Sequence, residues 1–316
     1  MKSRKTFVKI VQVFVFMALL SATSCGIMKK EESGQKKGDK KEPHIKISLA
    51  QWSLHRAIFK GEMLAFDFAK EAKSMGFEGI EYVSTLYKKE IKQLGMDSVV
   101  SRLKSEAEKH GVKSLLIMID AEGQLASAND EQMNKAVENH KKWVDAAAAL
   151  GCHSIRVNAH GQGSYEAIKV RAVKGLSGLA EYAQTKGINV IVENHGGNTA
   201  NGEWLASVIK EVNKPNCGTL PDFGNFCLER KNRKCVKSYD KYKGVDELMP
   251  YAKAVSAKSR EFDADGNETT IDYEKMMQIV KKYGYSGYIG VEYEGRALSE
   301  REGILATKKL VERFAY

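Results

Sequence analysis

The sequence has few cysteines, and none of their spacings resembles a zinc knuckle. Only five cysteines occur in 316 residues, and Cys25 belongs to the N-terminal segment. Cys152 and Cys217 stand beside predicted strands and are expected to be small buried residues. Cys227 and Cys235 share one long basic loop and could pair, since the predicted compartment permits disulfides. A structural zinc knuckle is therefore excluded.

A strong net charge is also absent from most of the chain. The formal charge of +10 includes four basic residues before position 25 and a net two between positions 26 and 44, which leaves +4 for the remainder. This mild excess does not predict nucleic-acid binding. No Gly-x-Gly-x-x-Gly motif follows the first predicted strand, so nothing anchors a dinucleotide there.

The N-terminus has the pattern of a secretion signal. Basic residues precede an apolar stretch from Ile10 to Leu20, which is too short for a confident membrane span. Small residues then lead into Cys25, which resembles a bacterial lipoprotein signal in which Cys25 becomes the lipidated first residue. The alternative is an ordinary secretory signal with an incidental cysteine. The lipoprotein interpretation predicts a cell-envelope protein, anchored only through lipid, with its folded domain in the periplasm.

Residues 26–44 contain almost nothing apolar and are predicted to be a disordered linker. The predicted organisation is a signal peptide at 1–25, this linker, and one folded domain at 45–316.

In the folded domain, short apolar runs alternate with amphipathic helical patterns. Glycine follows five of the predicted helices, where a left-handed C-cap favours it. Eight such repeats predict an α/β fold, the (β/α)8 or TIM barrel, with an open doubly wound sheet as the alternative. The predicted strands are Ile45–Gln51, Gly79–Tyr82, Val112–Ile119, Ser154–Asn158, Asn189–Glu193, Gly218–Pro221, Ala252–Ala257 and Tyr288–Glu292.

Three carboxylates occupy the same position relative to predicted strands. Glu193, Asp222 and Glu292 each stand where an apolar run stops and a loop begins. The ends of barrel strands are where such enzymes keep their chemistry, and buried acids there need a partner or a metal. Any one of them could instead cap a helix or form a local ion pair.

Four segments, "VIVENHGG", "GTLPDFGN", "VSAKSREFDADG" and "GYSGYIGVEYEG", resemble the xylose isomerase-like TIM barrel superfamily of sugar isomerases and epimerases. The resemblance covers residues 45–316. It implies a divalent metal (Mn, Mg or Zn) held by Glu193, Asp222 and Glu292. It also implies that Glu193 and Glu292 move protons in catalysis. The histidine that the superfamily places in strand seven is Ser256 in this chain.

The change at Ser256 leaves the metal open. Three oxygen ligands and water can still hold Mg²⁺ or Mn²⁺, but loss of the imidazole weakens the case for zinc. His195 is a candidate substitute ligand or a substrate contact, and a structural hydrogen bond is the plain alternative. Lys258 points the same way as Ser256. Its ammonium could supply some of the charge of a metal, or it could form a plain ion pair with a carboxylate.

Other polar residues cluster at the same predicted strand ends. Trp52 is a candidate for stacking on a sugar face and His160 for bonding a hydroxyl, although packing and a structural hydrogen bond are the plain alternatives. Glu294 could also face inward, but Glu292 is favoured because it ends the apolar run. The predicted substrate-binding residues are Trp52, Glu81, Asn158, His160, His195, Asn225, Lys258 and Arg260.

These residues suit proton removal next to a carbonyl, with a carboxylate base and a group that holds the enediolate. The predicted function is isomerisation or epimerisation of a free sugar or keto-sugar. A keto-sugar lyase or hydratase, a non-catalytic sugar-binding barrel and a nuclease of the apurinic endonuclease type are the alternatives. The expected partner is a small sugar, with no nucleic acid, and a homo-oligomer remains open.

Overall fold

A computed structural model describes residues 45–316. That range contains ten strands and ten α-helices, with short 3-10 turns between them. The strands are β1 (Lys46–Ala50), β2 (Gly79–Val83), β3 (Lys113–Met118), β4 (Ser154–Val157), β5 (Asn189–Glu193), β6 (Cys217–Leu220), β7 (Cys227–Lys231), β8 (Lys234–Ser238), β9 (Val255–Ser259) and β10 (Tyr288–Tyr293).

Eight of these strands form one parallel sheet, in the order β6-β5-β4-β3-β2-β1-β10-β9. Backbone hydrogen bonds join its two outer strands and close the sheet into a barrel. The amide of Lys253 donates to the Thr219 carbonyl at 3.0 Å, and the amide of Ser256 donates to the Pro221 carbonyl at 2.9 Å. This junction, the β6–β9 seam, pairs Asp222 with Ser256. The predicted TIM barrel is confirmed.

The helices follow the strands in the alternation that the sequence predicts. Five glycines predicted to end helices all have φ between 61° and 76°, as left-handed C-caps require. No helix within residues 45–316 is both long and apolar enough to cross a membrane. The helices are α1 (His55–Lys60), α2 (Phe68–Ser74), α3 (Lys88–Leu94), α4 (Met96–His110), α5 (Asp130–Leu150), α6 (Tyr165–Thr185), α7 (Gly202–Val212), α8 (Lys241–Leu248), α9 (Tyr273–Lys282) and α10 (Glu300–Arg313).

The long basic loop after Phe226 is folded rather than irregular. β7 and β8 form an antiparallel hairpin there, linked by a disulfide between Cys227 and Cys235. Asn232 and Arg233 make the turn with φ of 49° and 65°, the left-handed conformation that a two-residue hairpin turn uses. The two short strands beside this turn lack a clear alternation of apolar and polar residues, so the sequence did not predict the hairpin.

Cys152 and Cys217 are free and buried, as expected. The predicted signal peptide, its lipidation site Cys25 and the linker lie outside the described residues and stay predictions.

One glycine of the barrel makes room for a buried acid. Gly290 on β10 pairs with Ser48 on β1, and Ser48 Oγ donates to Glu81 Oε1 at 2.6 Å. A Cβ at position 290 would lie 2.4 Å from Glu81 Oε1. The packing of this acid therefore depends on the absence of a side chain on the neighbouring strand.

We predict that Gly290→Ala lowers the free energy of unfolding by roughly 1–3 kcal/mol, since it overpacks the barrel interior. The matched control is Gly178→Ala on α6, where the nearest atom to a Cβ is 4.0 Å away. That control should be neutral or slightly stabilising, because alanine suits a helix better than glycine. Urea denaturation measures both variants, and equal stabilities would contradict the close approach.

Candidate active site at the carboxyl ends of the strands

One group of side chains lies at the β6–β9 seam. Asp222 follows β6, Ser256 and Lys258 face the same side of β9, and Glu292 lies on β10. Ser256 Oγ lies 2.7 Å from Asp222 Oδ2 and 3.3 Å from Glu292 Oε2. Lys258 Nζ donates to Glu292 Oε1 at 2.7 Å and stands 3.7 Å from Asp222 Oδ2. The seam thus gathers two carboxylates around one ammonium and one hydroxyl.

A second group is centred on Arg156 of β4. Its Nε lies 2.9 Å from Glu193 Oε2, an ion pair without linear hydrogen-bond geometry, and its Nη1 contacts Asp120. Asn225 Nδ2 donates to the other oxygen of Glu193 at 2.8 Å. The Arg156 side chain is only 5% exposed. A buried guanidinium therefore links the acid after β3 to the acid that ends β5.

A third group forms the rim beyond β10. Glu294 accepts from Trp52 Nε1 at 2.9 Å and from Arg260 Nη2 at 3.1 Å, and its Oε1 lies 3.4 Å from Lys258 Nζ. One face of the Trp52 indole stacks on His55, with ring centroids 4.2 Å apart. The rim thus holds the indole in a fixed orientation.

Burial dominates the electrostatics of the deepest acids. It raises the pKa of Glu193 and of Asp222 above the ordinary values, because it outweighs the attraction of Arg156 and Lys258. Burial alone would lower the pKa of Lys258, but Asp222, Glu292 and Glu294 together hold it well above its usual range. The ammonium is therefore charged at neutral pH.

The outer acids behave in the opposite way. Burial works to raise the pKa of Asp120, but Arg156 prevails and lowers it to about 2. For Glu294 the charges of Lys258 and Arg260 likewise prevail over burial and lower the pKa to about 2. These two carboxylates are ionised at neutral pH.

A cavity of about 350 Å³ opens at this end of the barrel. Its size and mixed lining fit a small polar ligand. The residues that line it are Trp52, Val83, Thr85, Asp120, Arg156, His195, Glu292 and Glu294.

The structure brings most of the predicted site residues to this end, but not all of them reach the cavity. Trp52, His195 and Glu292 line it. Glu193 and Asp222 are almost wholly buried behind it, as is Lys258. The roles assigned to them stay predictions. Five other predicted residues also lie outside the lining: Glu81, Asn158, His160, Asn225 and Arg260.

Their contacts explain where these residues lie. Asn158 Nδ2 donates to Asp120 Oδ1 at 2.9 Å, so it supports an acid of the cavity wall. The His160 ring stands 6.2 Å from the His195 ring. Burial lowers the pKa of His160 to about 4, which leaves it neutral. Asn158 and His160 therefore lie beside the site, just after the end of β4.

Sequence reasoning missed Arg156 and Asp120. A single arginine inside the apolar strand "SIRV" is a usable signal, because a strand of a parallel barrel is buried on both faces and a cation there needs partners. Glu294 was considered and set aside, yet it lines the cavity together with Glu292.

The fold and site can be compared with known proteins. A sequence profile described as the xylose isomerase-like TIM barrel matches residues 69–313, which include every strand from β2 to β10. The chain belongs to this family. A comparison with curated protein sequences found no match.

Solved structures share the fold of this xylose isomerase-like barrel at low sequence identity. D-psicose 3-epimerase in the presence of D-fructose is 13% identical, with a TM-score of 0.65, and covers 85% of this chain and 99% of its own. The IolI protein with a bound zinc atom is 17% identical, with a TM-score of 0.65 and coverage of 85% and 98%. The 3-keto-D-glucoside 4-epimerase of E. coli is 14% identical, with a TM-score of 0.62 and coverage of 79% and 94%.

The zinc atom in IolI raises the question of whether this barrel fits a metal. Within residues 45–316, no group of three or more His, Cys, Asp or Glu side chains is placed to hold one. Lys258 Nζ already lies among the carboxylates that would be ligands. Two unit charges about 4 Å apart repel by about 4 kcal/mol at an effective dielectric of about 20, and a divalent ion doubles that. The side chains as arranged do not fit a metal.

Glu81 lies inside the barrel rather than on the cavity wall. It is 2% exposed, and its Oε2 has no hydrogen-bond partner. Burial raises its pKa to about 7, against the effect of the Ser48 hydrogen bond. The unfolded chain releases this proton near pH 4.5, whereas the folded chain keeps it until about pH 7. The corresponding stability is complete below pH 4.5 and is lost as the pH rises to 7.

We predict that Glu81→Gln, which mimics the protonated acid, removes roughly 3 kcal/mol of the loss in unfolding free energy between pH 4.5 and 7.5. Glu193 and Asp222 add to the loss in the parent, so the difference between variant and parent is the relevant quantity. Urea denaturation across this pH range measures it. The exposed-site control Glu108→Gln on α4 should follow the parent. A Glu81→Gln curve parallel to that control would contradict a buried neutral acid.

Proposed function

We propose that this protein is a sugar isomerase or epimerase that acts on a free sugar or keto-sugar through an enediolate. The observation that supports this most directly is that a carboxylate, Glu292, and a buried guanidinium, Arg156, line the same cavity. The two epimerases named above, D-psicose 3-epimerase and 3-keto-D-glucoside 4-epimerase, share the fold. That this chain acts on a similar substrate is part of this proposal.

The first step is removal of a proton from the carbon next to the substrate carbonyl. Such a proton is very weakly acidic, so its removal needs a positioned base. Glu292 meets this need because its carboxylate lines the cavity, while Lys258 and Ser256 fix both of its oxygens from behind. We assign Glu292 as the base.

The negative charge that develops on the substrate oxygens needs a cation that is already in place. Arg156 meets this need, since its guanidinium faces the cavity and is held by Asp120 on one side and Glu193 on the other. A guanidinium fixed between two carboxylates requires no reorganisation when the enediolate forms.

The second carboxylate, Glu193, stands behind Arg156 and is 2% exposed. Return of the proton by Glu292 to the neighbouring carbon, with the enediolate electrons forming the new carbonyl, gives an isomerase with a single base. Return of a proton to the same carbon from the opposite face, by a second acid such as Glu193, gives an epimerase. Glu292 lines the cavity whereas Glu193 does not, which favours Glu292 as the group that acts first.

The remaining lining positions the sugar. Trp52 offers an indole fixed by Glu294 and His55, and an aromatic face suits the C–H face of a sugar ring. His195 stands at the mouth, where its ring can bond a hydroxyl. Because the side chains do not fit a metal, no step of this mechanism is routed through one.

We also propose the setting that the N-terminal pattern predicts. Lipidation at Cys25 would anchor the barrel to a bacterial membrane and place it in the periplasm. Phosphorylated sugars are mostly cytoplasmic, so a barrel in that location meets free sugars and keto-sugars.

The test is exchange of substrate C–H for solvent deuterium. The purified protein is incubated in D₂O with D-fructose, D-psicose, L-ribulose and 3-keto-glucosides, and proton NMR follows both loss of the C–H signal and formation of products. We predict exchange with at least one substrate, and a loss of about 10³-fold or more in Glu292→Gln, since the base is removed. Glu108→Gln is the matched control and should retain the parent rate.

The outcomes separate the proposal from its alternatives. An isomer or epimer among the products supports it, whereas an unsaturated or hydrated product would replace isomerisation by lyase or hydratase action. Saturable sugar binding with neither exchange nor product would show a binding protein and overturn the proposal.

A further inference from the structure

We infer that two buried cations, Arg156 and Lys258, hold the carboxylates of this site together in place of a metal ion, so that the site works without one. The inference deepens the proposed function and rests on it only for the identity of the reaction. The arrangement of the side chains supports it independently.

Every oxygen of the three carboxylates expected to bind metal already lies beside a hydrogen-bonding group or a cation of the protein. Asp222 Oδ1 accepts from the amides of Gly224 and Asn225, each at 2.8 Å, and its Oδ2 accepts from Ser256 at 2.7 Å. These bonds fix the carboxylate against its own loop. Both oxygens of Asp222 therefore already accept hydrogen bonds from the protein.

The other two carboxylates are engaged in the same way. Glu292 has Lys258 Nζ at 2.7 Å on one oxygen and Ser256 Oγ at 3.3 Å on the other. Glu193 has Asn225 Nδ2 at 2.8 Å on one oxygen and Arg156 Nε at 2.9 Å on the other. The two side-chain cations thus place positive charge beside all three buried carboxylates.

Lys258 is packed in place rather than free to swing away. Its side chain is 1% exposed, and its stem lies against the backbone of Gly224, where a Cβ would stand 2.8 Å from Lys258 Cγ. Its carbonyl accepts from the Tyr273 hydroxyl at 2.7 Å. An ammonium confined in this way cannot leave the carboxylates to make room for a metal ion.

Ser256 completes the arrangement. Its hydroxyl donates to Asp222 Oδ2 at 2.7 Å and lies 3.3 Å from Glu292 Oε2. The side chain is short enough to leave the space beside these carboxylates to the Lys258 ammonium. A divalent ion with oxygen ligands needs several acceptors that point at one centre. In this site the position between the carboxylates is taken by the Lys258 ammonium, which is a hydrogen-bond donor and not a metal ligand.

The test is direct titration of metal. Protein dialysed against EDTA and then against buffer is titrated with Mn²⁺ and, separately, Zn²⁺ by isothermal calorimetry, and its thermal unfolding is recorded with and without about 1 mM Mn²⁺. We expect no saturable binding in the micromolar range and a midpoint that moves by less than about 1 °C, because an ion that binds only the folded state must raise the midpoint.

Two variants test whether the titration can detect a metal site in this fold. Ser256→His with Lys258→Met supplies an imidazole and removes the ammonium, and it should bind about one equivalent of Mn²⁺ or Zn²⁺ with a midpoint raised by several °C. The second variant, Lys258→Met with Ser256 kept, measures the effect of removing the ammonium alone. Lys104→Met on the exposed face of α4 is the matched control and should behave as the parent.

The parent titration alone decides the inference. Uptake of about one equivalent at micromolar affinity, lost in Glu193→Gln, would overturn it even if both Lys258 variants failed to fold. Absence of uptake supports it. The titration involves no sugar, so failure of the deuterium exchange would remove the proposed function and leave this inference standing. Exchange that requires added metal would support the proposed function and overturn this inference.

Discussion

The desolvation of carboxylates at one end of the barrel is the constraint on which the rest of the site depends. Glu193, Asp222 and Glu292 are each at most 5% exposed. Removing such charges from water costs several kcal/mol per ion, so each needs a compensating cation or a proton. Arg156 and Lys258 supply the cations. These two side chains therefore fix the positions of the carboxylates, and Arg156 itself faces the cavity.

The closure of the barrel brings the carboxylates and their partners on β9 together. The β6–β9 seam pairs Asp222 with Ser256, and the register of β9 against β10 pairs Lys258 with Glu292. Stability and chemistry thus share the same residues. A cation buried in this network joins neighbouring strands and also fixes Glu292, the proposed base, at the cavity wall. Rigidity of this kind is what preorganised catalysis requires.

The fold was readable from the sequence because buried parallel strands give short apolar runs and glycine ends the helices between them. The three acids were readable because each ends such a run. Their partners were not, since the roles of Arg156 and Asp120 depend on which strands are neighbours. The position of the Lys258 ammonium likewise depends on packing across the seam. The residue pattern of one strand carries no information about distances to side chains on another strand. The sequence therefore could not decide whether a metal ion or the Lys258 ammonium lies among the carboxylates.

A double-mutant cycle between Lys258 and Glu292 tests the central claim most directly. Unfolding free energies are measured for the parent, Lys258→Met, Glu292→Gln and the double variant. If the ammonium is the counter-ion of the buried base, the double variant loses less than the sum of the single losses, with a coupling of about 1.5 kcal/mol or more. Losses that add to within about 0.5 kcal/mol would show that the two groups are independent and would contradict the account.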